Sequence, residues 1–369
     1  MKKLATKLNI YGTPDEKTKQ QMEEAMSLPV TVNGALMPDA HYGYGLPIGG
    51  VLATQDAIIP YAVGVDIACR VKLSILDIPV SELENIEKFK KAIESETRFG
   101  AGSCFEKNQT YDHEVLDQDG WDLIPVDKDI AVSQLGTSGG GNHFVDFGIV
   151  NYGDHKNKVA ILTHSGSRGP GARTCEKYNK IAKEQHPEGG TLAWLDMNTT
   201  AGQDYWLAMN LMGDFASANH EAIHNRLSSY LNAEVLCEIE NHHNFAWKEN
   251  DLYVHRKGAT PAQEGVLGII PGTMKDTAYI VIGAGDKKSI CSSAHGAGRE
   301  MSRTQAKKTI DIDDWKNKLR REGVTVLGAG ADELPEAYKS IHQVMADQNK
   351  LVQIAGTFQP KIVKMAGKM

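Results

Sequence analysis

Gly64-Val-Asp-Ile-Ala-Cys-Arg-Val-Lys-Leu-Ser-Ile-Leu76 carries two messages in one stretch. From Val71 to Leu76 the residues alternate and are rich in branched apolar side chains, which predicts a β-strand. Just ahead of it, Asp66 and Cys69 stand three residues apart on the loop that enters the strand. A carboxylate and a thiolate so placed can converge on one cation, and a thiolate can bridge two. Taken alone, Cys69 reads more readily as a small buried hydrophobe.

Working outward, Val159–Thr163, Tyr253–His255 and Tyr279–Ile282 also read as strands, each near a glycine-rich segment. Thr13-Pro14-Asp15-Glu16 reads as a helix start, with Thr13 as cap and Pro14 in the first turn, and the helix runs to about Met26. Between Thr200 and Leu231, Trp206, Met209, Met212, Phe215, Ala216, Ile223 and Leu227 recur every three to four residues, predicting a helical hairpin or one long helix. Asp313–Arg321 and Leu334–Val352 read as further helices. With no repeat, low-complexity tract or proline-rich linker, residues 1–369 are expected to form one continuous α+β domain.

Composition narrows the function. Of 369 residues, 40 are Lys or Arg and 47 Asp or Glu, a net charge of −7, which excludes a protein that coats nucleic acid or anionic membrane indiscriminately. A polyanionic substrate must therefore be met by a local site. No run approaches the ~18 apolar residues of a membrane span, and the start is not followed by the apolar stretch of a signal peptide, so a cytoplasmic location is expected. The five cysteines are scattered without a CxxC, so neither a disulfide framework nor a zinc finger fits.

Glycine is clustered, and the clusters hold the chemistry. Gly136-Thr-Ser-Gly-Gly-Gly-Asn142-His143-Phe144 suits a backbone that wraps a phosphate or a metal-bound ligand. His164 ends an apolar strand beside Arg168, a residue suited to phosphate oxygens. Of the pair His242-His243 only one should enter a shared site, because neighbours on a strand face opposite ways. In Ser292-Ser-Ala-His295-Gly296-Ala-Gly298-Arg299 small residues leave an imidazole nitrogen open for nucleophilic attack. Arg256, Lys257, Arg299, Arg303, Lys307 and Lys308 lie in or beside these motifs and suggest a phosphate-lined site. A mixed Asp, Cys and His set suits a borderline transition metal, with Zn, Mn, Fe and Co all conceivable.

In order along the chain, segments 37–50 (Met-Pro-Asp-Ala-His-Tyr-Gly-Tyr-Gly-Leu-Pro-Ile-Gly-Gly), 64–69, 139–144, 164–169, 242–244, 255–259, 269–274 and 293–299 resemble the RtcB family of RNA-splicing ligases. The resemblance implies the family's own α+β fold, a single domain with β-sheets around a central metal site. It implies a GTP- and Mn²⁺-dependent ligase joining RNA 3′-phosphate or 2′,3′-cyclic phosphate ends to 5′-hydroxyl ends. Asp66, Cys69, His143, His164 and His243 would hold the metal, two ions with Cys69 between them, and His295 would be the nucleophile that takes GMP. Asn142, Phe144, Asp146, Asn244, Pro271, Gly272, Thr273, Met274, Gly296, Ala297, Gly298, Tyr338 and Lys364 would contact nucleotide, and Arg168 would hold RNA phosphate. Some members use an archease-type activator. The chain departs from the family at Asp146 (Glu in the pattern), Thr273 and Ala278 (Ser in the pattern), and in its near-terminal Lys-Gly, for which Lys364 stands about one register away. Two other readings keep the same residues: a phosphodiesterase that only opens cyclic phosphates, and an RNA-end-binding protein without turnover.

Overall fold

The computed structural model describes residues 7–367; residues 1–6, part of the start examined for a leader, and the last two residues lie outside it. Its largest sheet is antiparallel and ordered Leu267–Ile270, Ala278–Gly283, Val352–Met365, Phe144–Tyr152, His155–Ser165, Arg70–Pro79, Val235–His242, with Thr325–Gly328 parallel to Val352–Met365. The sheet curls until its end strands meet. There the Asn241 side chain substitutes for a backbone ladder, accepting from Ile269 N–H (2.9 Å) and donating to Ile269 O (3.3 Å).

Alternation then sorts the side chains. Val71, Leu73, Ile75, Ala160, Leu162, Val150 and Phe358 fill the interior of the curl, while Val145, Phe147, Val159 and Ile161 face outward onto Ile223 and Leu227 of the helix Thr200–Leu231. By the same period of two, His164, Phe144 and Asp146 point inward at the open end, with His164 paired to Val71 and to Phe144 across the strands. A second sheet, ordered Lys7–Ile10, Thr31–His41, Ile48–Gln55, Leu252–Lys257, Phe245–Glu249, lies beside that end, and the two-stranded pair Ala259–Pro261 with Ser292–Ala294 leads directly to His295.

Two local expectations are corrected and one alternative is decided. The first helix is Glu16–Met26, and its cap is Asp15, not Thr13: the Asp15 carboxylate accepts from Thr18 N–H (3.0 Å) and Thr18 O–H (2.7 Å), leaving Pro14 outside the helix. Of the two alternatives left open for Thr200–Leu231, the structure shows the single helix, unbroken over 32 residues. It keeps Gly213 in its middle because Phe245 packs 3.1 Å from where a Cβ would sit. The expected helix Leu334–Val352 shrinks to Ile341–Asp347. Pro335 starts a short 3₁₀ turn, Tyr338 is extended, and Val352 already belongs to the 14-residue strand that runs through the middle of the large sheet.

A candidate metal and nucleophile site

Two loops are stitched together at the open end of the sheet. Cys69 N–H donates to Asp66 O (3.2 Å) in a tight turn, Ala68 N–H donates to Asn244 O (2.8 Å), and His243 N–H donates to Cys69 O (2.8 Å). These bonds bring Asp66 and Cys69 against His243, while the strand register supplies His164 and the glycine loop supplies His143. Two groups of donors result, Cys69 with His164 and His243, and Asp66 with Cys69 and His143, sharing the thiol.

The distances suit a cation. Cys69 Sγ is 3.1 Å from His164 Nε2 and 3.4 Å from His143 Nε2, and Asp66 Oδ2 is 2.9 Å from His143 Nε2. His143 Nδ1 faces Ser138 O (2.9 Å) and His164 Nδ1 faces Asn142 O (3.1 Å), so each ring is held by its outer nitrogen and turns Nε2 inward. His164 Nε2 and His243 Nε2 lie 3.3 Å apart. Burial, reinforced by the neighbouring imidazoles, pushes His164 down to about 3 and His243 well below the usual range, so both rings are neutral, and His164, held at Nδ1 by Asn142 O, turns a lone pair inward beside the Cys69 thiol. A metal ion satisfies that arrangement, and the residues fit one.

Burial would raise Asp66, but the charge and hydrogen bond of His143, with Arg168 behind, hold its carboxyl well below the usual carboxylate range. Burial, then Asp66, pushes the Cys69 thiol well up, so metal entry must displace a proton. Arg168 begins the helix Arg168–Gln185 and places Nη1 3.1 Å from His143 Nδ1. It fits only because Gly139, at φ +94°, has no side chain: a Cβ there would overlap the guanidinium.

His295 closes the other side. Its ring centroid is 4.7 Å from that of His243, and its Nδ1 donates to Asp39 Oδ2 (2.6 Å), which also accepts from His295 N–H (3.2 Å). Asp39 is fully buried, and its Oδ1 has no partner among the described residues. With Nδ1 so occupied, Nε2 is the nitrogen left for chemistry. Gly298, at φ +73°, lets the loop after His295 lie on Asp39 O, where a Cβ would not fit.

The inner donors and His295 open into one cavity of about 350 Å³. Its lining includes Asp66, Cys69, His164, His243 and His295 together with Asn142, Phe144, Asp146, Asn244, Pro271, Gly272, Thr273, Met274, Gly296, Ala297, Gly298 and Tyr338. Three expected site residues are not in that lining: His143, which meets Asp66, Arg168, which meets His143, and Lys364. Val363 and Met365 line the cavity, so alternation turns Lys364 to the other face, where Nζ donates to Leu327 O (3.3 Å) and sits 5.7 Å over the Phe99 ring. As expected for neighbours on a strand, His243 enters the site and His242 does not; His242 packs on Phe245 and Trp247.

The motif reading missed Asp39, although it stands in Met-Pro-Asp-Ala-His; a carboxylate in the middle of a buried strand requires a partner, which is the signal that could have found it. It also missed Asn219, on the long helix, which accepts from Gly136 N–H (2.8 Å) and donates to Thr137 O and Ser165 Oγ (3.0 Å each). Ser165 in turn donates to Ser138 O (2.7 Å), the acceptor of His143. Nothing local in a helical Asn announces such a role. Around Tyr338, Arg299 Nη1 donates to the phenol oxygen (3.2 Å) and Glu333 accepts from the phenol. No helix among the described residues is long and apolar enough to cross a membrane.

Comparison with known proteins agrees with this geometry. The chain is 33% identical to an RNA-splicing ligase RtcB of Escherichia coli K12 over 94% of each chain, and 28% identical to a tRNA-splicing ligase RtcB of Nanoarchaeum equitans over 95% of this chain and 91% of that one. It is 29% identical to RNA-splicing ligase RtcB homolog 1 of Entamoeba dispar, covering 88% of this chain and 77% of that one. The family model described as tRNA-splicing ligase RtcB matches residues 21–124 and 122–365, and with the shared-thiol donor set and His295 in one cavity the conclusion is that the chain belongs to the RtcB family.

Proposed function

We propose that this chain is an RNA ligase that joins a 3′-phosphate or 2′,3′-cyclic phosphate end to a 5′-hydroxyl end, using GTP and Mn²⁺. The observation that carries the reading is His295, tied through Nδ1 to buried Asp39, facing the Cys69, His164 and His243 donors across one cavity. The names of the relatives support the substrate class.

Asp66, Cys69, His143, His164 and His243 would hold two Mn²⁺ ions, which would neutralise phosphate charge when bound. His295 Nε2 attacks the α-phosphorus of GTP; the bond to the bridging oxygen breaks and pyrophosphate leaves with the electron pair. The Asp39 carboxylate balances the positive charge the ring acquires. An oxygen of the RNA 3′-phosphate then attacks the same phosphorus and His295 departs, leaving the RNA end capped with GMP. The 5′-hydroxyl of the second RNA displaces GMP. A cyclic phosphate is first opened by water.

Asn142, Gly296 and Gly298 hold nucleotide phosphate on this reading, and Arg168 contributes charge toward RNA phosphate from behind His143. Asp146 supplies the polar group in a wall otherwise formed by Phe144, Phe358, Val363 and Met365, and meets the edge of the base. Burial pushes its carboxyl well up, and Oδ1 has no partner among the described residues.

The test is incubation with α-labelled GTP and Mn²⁺. A covalent protein–GMP adduct, lost in His295→Ala, is expected; no adduct, or one that survives in His295→Ala, overturns the assignment. Running ATP and other divalent ions in parallel tests the base and the metal together.

A further inference from the structure

The chain between His41 and Ile48 crosses the rim of the cavity: both end residues line it, Tyr42 and Tyr44 face outward between them, and Leu46 anchors the segment in the core. Tyr42 and Tyr44 are 53% and 59% exposed, and Tyr44 is the most exposed large apolar side chain among the described residues. Exposed loop tips are ordinarily small, polar and mobile. This one presents two aromatic rings beside its glycines.

Its backbone is fixed from below. Gln21, buried in the helix Glu16–Met26, donates to Gly43 O and Gly45 O (2.7 Å each) and accepts from Gly43 N–H (3.1 Å). Buried Lys257 donates to Tyr44 O and to Tyr61 O (3.0 Å), and its Cε lies 3.4 Å from the Cβ position of Gly64, two residues before Asp66. The loop is therefore tied to the segment that carries the candidate metal ligands. Two rings are held out to solvent on a rigid backbone, which removes the entropy cost of ordering them on binding.

The surrounding charge selects the partner. Lys17 Nζ stands 3.8 Å over the Tyr42 ring, Tyr44 meets Tyr61 edge-on at 5.0 Å, and Lys183 Nζ lies 5.8 Å over Tyr61. Lys17 and Lys183 are exposed. Separate aromatic faces interleaved with lysines, on a chain of net charge −7, match a strand whose bases stack and whose phosphates seek cations, rather than a contiguous apolar protein interface. We propose that Tyr42 and Tyr44 form a stacking platform for the unpaired bases adjoining the RNA end that enters the cavity. The proposal rests on the RNA-ligase reading.

The experiment compares wild type, Tyr42→Ala/Tyr44→Ala and Tyr44→Trp in two assays: covalent labelling by GTP, and fluorescence anisotropy with a labelled single-stranded RNA ten-mer ending in 3′-phosphate. The double alanine variant is expected to keep its melting temperature and its labelling while binding RNA about tenfold more weakly or worse. Tyr44→Trp keeps affinity, and its indole emission is quenched by RNA. RNA affinity unchanged in the double variant overturns the platform and leaves the ligase reading standing. Self-association that depends on the two tyrosines, with RNA affinity unchanged, also overturns it and marks a protein contact. If wild type is not labelled by GTP, the ligase reading falls and the binding comparison still decides the tyrosines; if wild type does not bind the ten-mer, both fall.

Discussion

Replacing Asp39 by Asn isolates the electrostatic contribution to the proposed attack by His295. The side chain keeps its size, and an amide oxygen at the place of Oδ2 can still accept from His295 Nδ1–H and N–H, now 2.6 and 3.2 Å away. The negative charge is lost. As Nε2 bonds to phosphorus the ring gains a unit positive charge, centred on the order of 4 Å from the carboxylate. At an effective dielectric of ~20 that pair is worth about 4 kcal/mol. If most of the charge has developed at the transition state, adduct formation slows roughly a thousandfold. The assay is single-turnover labelling with GTP, with thermal melting as the control for folding. A loss under about tenfold, with melting unchanged, would refute the reasoning and reduce Asp39 to a packing residue.

Other outcomes follow from the same geometry. Cys69 belongs to both donor groups, so Cys69→Ala should weaken Mn²⁺ binding by more than the roughly 10–100-fold that losing a supporting contact costs, read by calorimetry without nucleotide. Asn219→Ala leaves Gly136 N–H without its acceptor and should cost about 2–4 kcal/mol in urea unfolding; a cost below ~0.5 kcal/mol would count against the clamp. Gly298→Ala forces a side chain onto Asp39 O and should slow GTP labelling more than it lowers RNA affinity, measured side by side. Burial pushes His255 from 6.5 down to about 4, where its neutral ring accepts from Ile59 N–H and donates to Leu52 O. Because the folded value lies below the unfolded one, this stability is complete above pH 6.5 and drains as pH falls toward 4, by about 3 kcal/mol at most. His255→Gln should flatten that part of the urea-midpoint profile, and an unchanged slope would contradict it.

What could be read in advance was what repeats locally. The alternation from Val71 to Leu76 and the spacing from Trp206 to Leu227 gave strand and helix directly, and small residues around His295 marked an open imidazole. The second end of the long helix was legible only as an alternative, since nothing in the spacing tells a hairpin from a single span. Leu334–Val352 was misread because its periodicity persists across Pro335 and into a strand whose pairing partners, Ala278–Gly283 and Phe144–Tyr152 among them, lie about 70 and 200 residues earlier. Lys364 was placed by its position near the end of the chain, whereas the register of that strand decides which way it points. Asp39 and Asn219 were invisible for a different reason. Each acts through a neighbour brought in from far along the chain, so no local spacing records the role.

The Asn241 clasp gives the large sheet a hinge line. Elsewhere its strands are joined by continuous backbone ladders, but at this seam one side chain makes two hydrogen bonds, worth about 2 kcal/mol together. His243 follows two residues later. The seam beside the candidate ligand His243 thus rests on fewer hydrogen bonds than its neighbours, and slow amide exchange should fail first at Ile269. His164, by contrast, sits between two paired strands, so any opening at the seam would move His243 against a fixed His164.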